Sequence, residues 1–152
     1  MNQQFKNLVD TLDKKYQALM SMDPVTADKI QPNTPVGGVY LFSEEERHLY
    51  AGRTKRKISV RIRNHFNSAN DCPFAWLLAR HETGKKATYK KEGSRADLLS
   101  DPTFKAIYDS ARDKIRKMQV RYVCEPDPLR QTLLEIYVSV AAKTKFNDFD
   151  TH

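Results

Sequence analysis

Two short β-rich segments joined by a charged turn constrain this chain more than any other feature. "VGGVYLF" begins at Val36, "SEEER" follows it, and "HLYAG" ends at Gly52. β-Branched and aromatic residues favour strands, and so short a link between two strands favours an antiparallel hairpin. The paired glycines near the start of the first segment would weaken a strand, so they indicate a close backbone approach or a bulge. The fold must be built around this hairpin.

The residues before the hairpin predict a helical arm. Apolar side chains recur at helical spacing over residues 2–21, and a polar connector containing three prolines follows over 23–35. We therefore divide the chain into an N-terminal helical arm with its connector, residues 1–35, and a main domain, residues 36–152.

The residues after the hairpin predict several helices and one further strand. Helices are expected from Ile58 and after Pro73, and Asp-Pro pairs beginning at Asp101 and Asp127 are typical of a helix N-cap and first turn. Polar and apolar residues alternate in "QVRYVCE", which predicts a third strand. These elements predict an α+β fold: a small mixed or antiparallel three-stranded sheet flanked by helices.

The charge of the chain indicates a polyanionic partner. Its formal net charge is +7 over 152 residues, and six of the eleven residues from Arg53 to Arg63 are Lys or Arg. Nucleic acid is the commonest polyanion, and an anionic membrane surface is the alternative. We find neither an apolar run that could span a bilayer nor a signal peptide.

The well-separated Cys72 and Cys124 predict reduced thiols in a cytoplasmic protein.

An acidic residue lies in the most apolar helix. Eight of the ten residues from Leu133 to Ala142 are apolar, so we expect nearly every face of this helix to be covered. A carboxylate rarely lies in such a place without a cation, a metal ion or a proton to neutralise it. Glu135 is therefore either a helix-edge residue that reaches solvent or an arginine, or else a metal ligand or catalytic acid.

Two tyrosines beside glycines and a basic helix face complete the candidate site. Tyr40 and Tyr50 are either core residues or groups beside a phosphate-sized space, which the neighbouring glycines would leave open because they have no side chain. Arg61 and His65 are four residues apart, so they share one face of the predicted helix. A guanidinium can bind phosphate through several donors, although the basic run could also be a solvated face that only binds nucleic acid. The tail has possible metal ligands at alternate positions, Asp148, Asp150 and His152, but this spacing alone is weak evidence for a metal site. A polar terminus is the default interpretation.

Together these pieces resemble the GIY-YIG nuclease family. "GVY" at 38–40 stands where the family has GIY, and "YAG" at 50–52 stands where it has YIG. Four later residues are similar to the family's helix arginine, the histidine one turn later, its metal-binding glutamate and its late asparagine: Arg61, His65, Glu135 and Asn147. The resemblance covers about residues 36–150 and departs from the family at the middle residue of each short motif.

The resemblance implies a metal-dependent endonuclease that hydrolyses phosphodiester bonds in DNA with one Mg²⁺ or Mn²⁺ ion. Glu135 would hold the ion, and Arg61 would stabilise the transition state. Tyr40, its pKa lowered by nearby positive charge, would accept the proton of the attacking water directly or through His65. Tyr50 and Asn147 would position groups. Double-stranded DNA is the expected partner, and a homodimer is one arrangement that could cut both strands.

The expected phosphate contacts are basic residues of the hairpin, the following helix and the loop 83–94: Arg53, Lys55, Arg56, Lys57, Arg63, Lys85, Lys86, Lys90 and Lys91. Two other functions stay open at this point. A non-catalytic nucleic-acid-binding module accounts for the charge, and an RNase or toxin-type nuclease accounts for the charge and for the candidate catalytic residues.

Overall fold

A computed structural model describes residues 1–69, 71–86, 88 and 90–149. The helices are α1 (Gln3–Val9), α2 (Leu12–Ser21), α3 (Ile58–Asn67), α4 (Pro73–Thr83), α5 (Arg95–Ser100), α6 (Pro102–Arg116) and α7 (Pro128–Ala141). The strands are β1 (Val25–Thr26), β2 (Val36–Glu44), β3 (Arg47–Lys57) and β4 (Gln119–Cys124). The α+β class is therefore confirmed.

The sheet has four strands in the order β1-β4-β2-β3, with every neighbouring pair antiparallel. The prediction of three strands is wrong, because the connector contributes β1. This strand has only two residues, Val25 and Thr26, which pair with Val120 and Gln119 of β4. A strand this short shows no alternating pattern, and its formation depends on backbone pairing with a distant segment.

Glycines let the hairpin and its neighbours pack closely. Gly52 of β3 lies opposite Tyr40 of β2, and a Cβ atom on Gly52 would overlap the Tyr40 phenol. A Cβ atom on Gly38 would overlap the carbonyl oxygen of Val123 in β4. Gly37 has a φ angle of +84°, in the left-handed region that glycine adopts most readily. The predicted close approach at these glycines is confirmed.

Helices cover both faces of the sheet. Tyr40 and Phe42 of β2 face a core formed largely with α3, α4 and α6, whereas Val39 and Leu41 face a second core formed with α2 and α7. This division follows from the alternation of side chains along a strand. Because β3 is the edge strand, side chains from the two helical layers can meet beside it.

The N-terminal arm packs on the second core. The single helix predicted over 2–21 is two helices, α1 and α2, separated by Asp10 and Thr11. Leu12 and Leu19 are buried in the cluster that contains Leu134 of α7. Apolar burial therefore attaches the arm to the body of the protein.

The helix starts predicted from Asp-Pro pairs are confirmed. An oxygen of the Asp101 side chain accepts a hydrogen bond from the amide of Thr103 at 3.0 Å, and Asp127 accepts one from Arg130 at 2.8 Å. In contrast, the expectation that α7 is covered on nearly every face is wrong. Val140 is 69 % exposed, because α2, β2 and β3 cover only the opposite side of the helix.

Candidate active site

A cleft of about 500 Å³ lies at the edge strand β3. Its lining brings together seven of the residues predicted from sequence, together with Thr54 and Asp71: Tyr40, Tyr50, Arg53, Lys55, Arg56, Arg61 and Glu135. The tyrosines and Arg61 come from the first core and its helix α3, whereas Glu135 comes from α7 on the other face. Residues far apart in the chain therefore converge where the sheet ends.

Tyr40 borders the cleft from beneath and is bound to His65. Its hydroxyl oxygen lies 2.7 Å from Nε2 of His65, and both side chains are completely buried. Burial, followed by the charge of Arg61, lowers the pKa of His65 to about 3. The imidazole is therefore neutral at physiological pH and holds the phenol by a hydrogen bond.

Burial also determines the state of the two phenols. It raises the pKa of Tyr40 well above its ordinary value of about 10, although interactions with Arg61 oppose the change. Burial, with the charge of Glu135, raises the pKa of Tyr50 to about 12. Arg61 alone therefore does not lower the pKa of Tyr40, because desolvation of the phenolate outweighs this cationic neighbour; the lowering expected from a bound metal ion stays a prediction.

Arg61 is held at the mouth of the cleft by an acidic residue that the sequence reasoning missed. Its Nη1 atom lies 3.3 Å from Oδ2 of Asp71, whose side chain is 61 % exposed. Nothing in the sequence around Asp71 distinguishes it from an ordinary loop residue before a helix. The ion pair is accessible to water, so an arriving phosphate can compete for the guanidinium.

Glu135 faces the cleft through an ion pair with Arg53. Its Oε2 atom lies 3.2 Å from Nε of Arg53, and 22 % of the glutamate side chain is exposed. Burial raises the pKa of Glu135, and Arg53 opposes that effect. The sequence left a solvent-reaching or arginine-paired glutamate and a metal ligand as alternatives; the arginine pair exists, and the carboxylate is also accessible from the cleft.

The residues at the cleft fit only a cation that keeps most of its water. Within the described ranges no three His, Cys, Asp or Glu side chains are grouped as a metal site. Mg²⁺ commonly binds through one or two carboxylates plus water and substrate phosphate, so a single glutamate is compatible with it. The Arg53 ion pair engages the Oε2 atom of Glu135, and within the described residues no hydrogen bond to Oε1 is present, which leaves one oxygen for such an ion.

Asn147 attaches the C-terminal segment to the edge of the sheet. Its side-chain Oδ1 accepts a hydrogen bond from the Ala51 amide at 2.7 Å, and its Nδ2 donates to the Ala51 carbonyl at 2.8 Å. The amide of Phe146 also donates to the carbonyl of Leu49. Asn147 therefore satisfies exposed backbone groups of an edge strand, beside Tyr50, and its side chain is not free to act on a substrate.

The remaining predicted phosphate contacts lie in different places. Arg63 points away from the cleft, because its guanidinium donates to the carbonyl of Ile30. Lys57 precedes α3, while Lys85 and Lys86 line a neighbouring groove. Lys90 and Lys91 are exposed. In the tail, Asp148 lines the same groove, while Asp150 and His152 lie outside the described residues.

Comparison with models of known protein families, with curated proteins and with solved structures found no match for this chain. None of the helices in the described ranges combines the length and apolar character needed to cross a lipid bilayer.

Proposed function

We propose that this protein is a metal-dependent endonuclease of the GIY-YIG type that hydrolyses phosphodiester bonds in DNA. The observation that supports the proposal most is the convergence of Tyr40, Tyr50, Arg61 and Glu135 on one cleft at the edge of the sheet. Tyr40 and Glu135 come from opposite faces of the sheet, so formation of either hydrophobic core does not by itself require both side chains to border the same cleft. Double-stranded DNA is the proposed substrate because the net charge is strongly positive.

Glu135 is the residue that would hold Mg²⁺ or Mn²⁺, through the carboxylate oxygen that Arg53 does not bind. When bound, such an ion neutralises negative charge on the phosphate as the phosphorus–oxygen bond breaks. Arg53 would keep the carboxylate oriented toward the cleft. This arrangement requires only a modest adjustment of an ion pair that is already partly accessible to solvent.

Arg61 would bind a non-bridging oxygen of the phosphate and stabilise the charge that develops in the transition state. To do so it exchanges Asp71 for the phosphate, and both groups are anionic acceptors at the cleft mouth. Because Arg61 also interacts with Tyr40, movement of its guanidinium would uncover the buried hydroxyl.

Tyr40 is the proposed general base, and it would act as the phenolate after losing its own proton to solvent. Arg61 and an ion held by Glu135 would have to offset the burial that raises its pKa. His65 would support it in the tautomer that carries a proton on Nε2, because that N–H donates to the phenolate oxygen and favours the charged form. Tyr50, held by stacking on Phe74 with ring centroids 4.7 Å apart, would position the substrate or water. Asn147 acts only through the backbone that carries Tyr50 and Gly52.

The decisive experiment incubates supercoiled plasmid with the protein in Mg²⁺, in Mn²⁺ and in EDTA, and sequences the product ends. We expect metal-dependent nicking or linearisation, and we expect Glu135→Gln to reduce its rate at least about 100-fold. Glu46→Gln, in the hairpin turn, is the matched control and should cleave normally. Salt-sensitive binding without cleavage in any metal would instead support a non-catalytic binding module, and preferential cleavage of RNA would support an RNase.

A further inference from the structure

A second basic groove joins the candidate active site. Its volume is about 1110 Å³, and it shares Tyr50 and Glu135 with the catalytic cleft as lining residues. This volume lies above the roughly 300–1,000 Å³ usual for small-molecule sites, so a polymer is a suitable occupant. The two cavities therefore lie side by side, with Tyr50 and Glu135 between them.

Cations outnumber acids along this groove. Among the described residues that line it, the acids are Glu135 and Asp148. The lysine and arginine side chains that line it are Arg80, Lys85, Lys86 and Arg95. Arg80 and Arg95 were not among the residues predicted from sequence: Arg80 lies in the last turn of α4, and Arg95 begins α5 just after the basic loop 83–94.

Arg80 and Arg95 approach the same aromatic side chain. Their guanidinium carbons lie 5.5 Å and 5.2 Å from the ring centroid of Trp76, which is itself buried. Burial, followed by repulsion from Arg95, lowers the pKa of Arg80. Two like charges are thus held close together by packing, which is unfavourable unless an anion joins them.

Neither guanidinium has a protein acceptor within the part of the chain that the structure describes. Nε of Arg80 is buried without a hydrogen-bond partner there, and neither arginine forms an ion pair with a described acid. Unpaired donors of the partly buried Arg80 are costly, so a ligand that accepts hydrogen bonds is expected to satisfy them. Phosphate oxygens match the geometry of the guanidinium fork.

We propose that Arg80 and Arg95 form a second phosphate-binding site, which holds the backbone of the substrate strand beside the phosphate that is cleaved. This proposal rests on the proposed nuclease function for the direction of the strand, which runs from Arg53 past Tyr50 into the groove. Lys85 and Lys86 extend the same contact at the rim. The site is non-specific for sequence, because it reads backbone charge and not base edges.

The test measures binding of a fluorescein-labelled DNA duplex by anisotropy in EDTA, over a range of NaCl concentrations. Arg80→Gln with Arg95→Gln should weaken binding and make the slope of log affinity against log salt shallower by about 1.8, or about 0.9 for each lost phosphate contact. Arg95→Gln alone, at an exposed side chain, should make the slope shallower by about half as much, or about 0.9. The matched control, Lys14→Gln with Arg47→Gln, removes the same charge elsewhere and should leave the slope unchanged.

A slope and an affinity equal to those of the control would overturn the second phosphate site. Thermal unfolding of each variant excludes a folding defect, and Arg95→Gln keeps the test valid if the double variant is unstable. Because the titration contains no metal, it is independent of cleavage. If Arg80 and Arg95 contribute to binding but the protein never cleaves DNA, the proposed nuclease function is wrong and the second phosphate site stands. If the double variant cleaves DNA with an unchanged KM, only the second phosphate site is wrong.

Discussion

The hydroxyl oxygen of Tyr40 lies 2.7 Å from Nε2 of His65 in a completely buried contact. Within the described residues the other ring nitrogen of His65, Nδ1, has no hydrogen-bond partner. The histidine therefore directs its only side-chain hydrogen bond at the phenol. A neutral imidazole in this position can donate a hydrogen bond to the phenolate or accept one from the neutral phenol, so the tautomer of His65 is coupled to the charge state of Tyr40.

We predict that His65 stays neutral down to a pH far below its ordinary pKa. Its folded-state pKa of about 3 lies below the unfolded value of about 6.5, so its contribution to stability is fully present above pH 6.5. That contribution should be lost as the pH falls from about 6.5 to about 3, at about 1.4 kcal/mol per pH unit.

NMR titration of the imidazole signals checks this prediction directly. The His65 signals should not change between pH 8 and pH 5, and the same titration of the urea-unfolded protein provides the comparison. A His65 midpoint near its ordinary pKa would show that the ring reaches solvent. Urea unfolding at pH 7.5 and pH 5 provides the second measurement, in which the native protein should be less stable at the lower pH.

Neighbouring arginines on α3 should respond differently to substitution. Arg61→Ala should reduce kcat at least about 100-fold while DNA binding in EDTA persists, because it removes a donor to the transition state. Arg63→Ala should retain cleavage and lose about 1–3 kcal/mol of unfolding free energy, because it removes the hydrogen bond to the Ile30 carbonyl. Single-turnover cleavage and urea unfolding separate the two effects. Equal cleavage by the two variants would refute the role of Arg61.

Gly52→Ala should destabilise the protein through a specific overlap with Tyr40. The added methyl group would meet the phenol ring, and overpacking of this kind costs about 1–3 kcal/mol. The cost should be smaller in a Tyr40→Ala background, because the smaller side chain leaves room for the methyl group. A double-mutant cycle on urea unfolding measures this coupling, and additive losses would mean that the two residues are independent.

Tyr40→Phe tests the general base without disturbing the packing. It removes only the hydroxyl group, so the ring should still fill the space above Gly52. We expect the rate of DNA cleavage to fall at least about 100-fold, within the range typical of a lost general base. An unchanged cleavage rate would transfer the role to another group, and Tyr50→Phe would be the next variant to measure.

Asp71→Asn should strengthen binding of DNA in EDTA by about two- to five-fold. It releases Arg61 from an exposed ion pair, whose strength limits the gain. Asp113→Asn is the matched control, because Asp113 is also exposed and ion-paired with an arginine, Arg116 on α6. If the two variants change affinity equally, the effect is one of net charge and the proposed exchange at Arg61 is wrong.

The sequence alone determined those features whose causes are local. β-Rich composition and a short charged link predicted the hairpin, Asp-Pro pairs predicted the starts of α6 and α7, and a helical four-residue spacing placed Arg61 and His65 on one face. The sequence also drew attention to Glu135 as a charged residue in an apolar helix, and left Tyr40 as either a core residue or a group beside a phosphate-sized space. These signals depend on neighbouring residues, so one chain segment carries each of them.

The tertiary structure decided everything that depends on contacts between distant segments. It formed β1 from two residues of the connector, paired Arg61 with Asp71, and used Asn147 to bind the backbone at Ala51. It also brought Arg80 and Arg95 to one tryptophan beside the cleft. No short-range pattern encodes such contacts, because they form only when the packed sheet edge brings separate layers together. The same burial raised the pKa of Tyr40 where charge alone predicted a decrease.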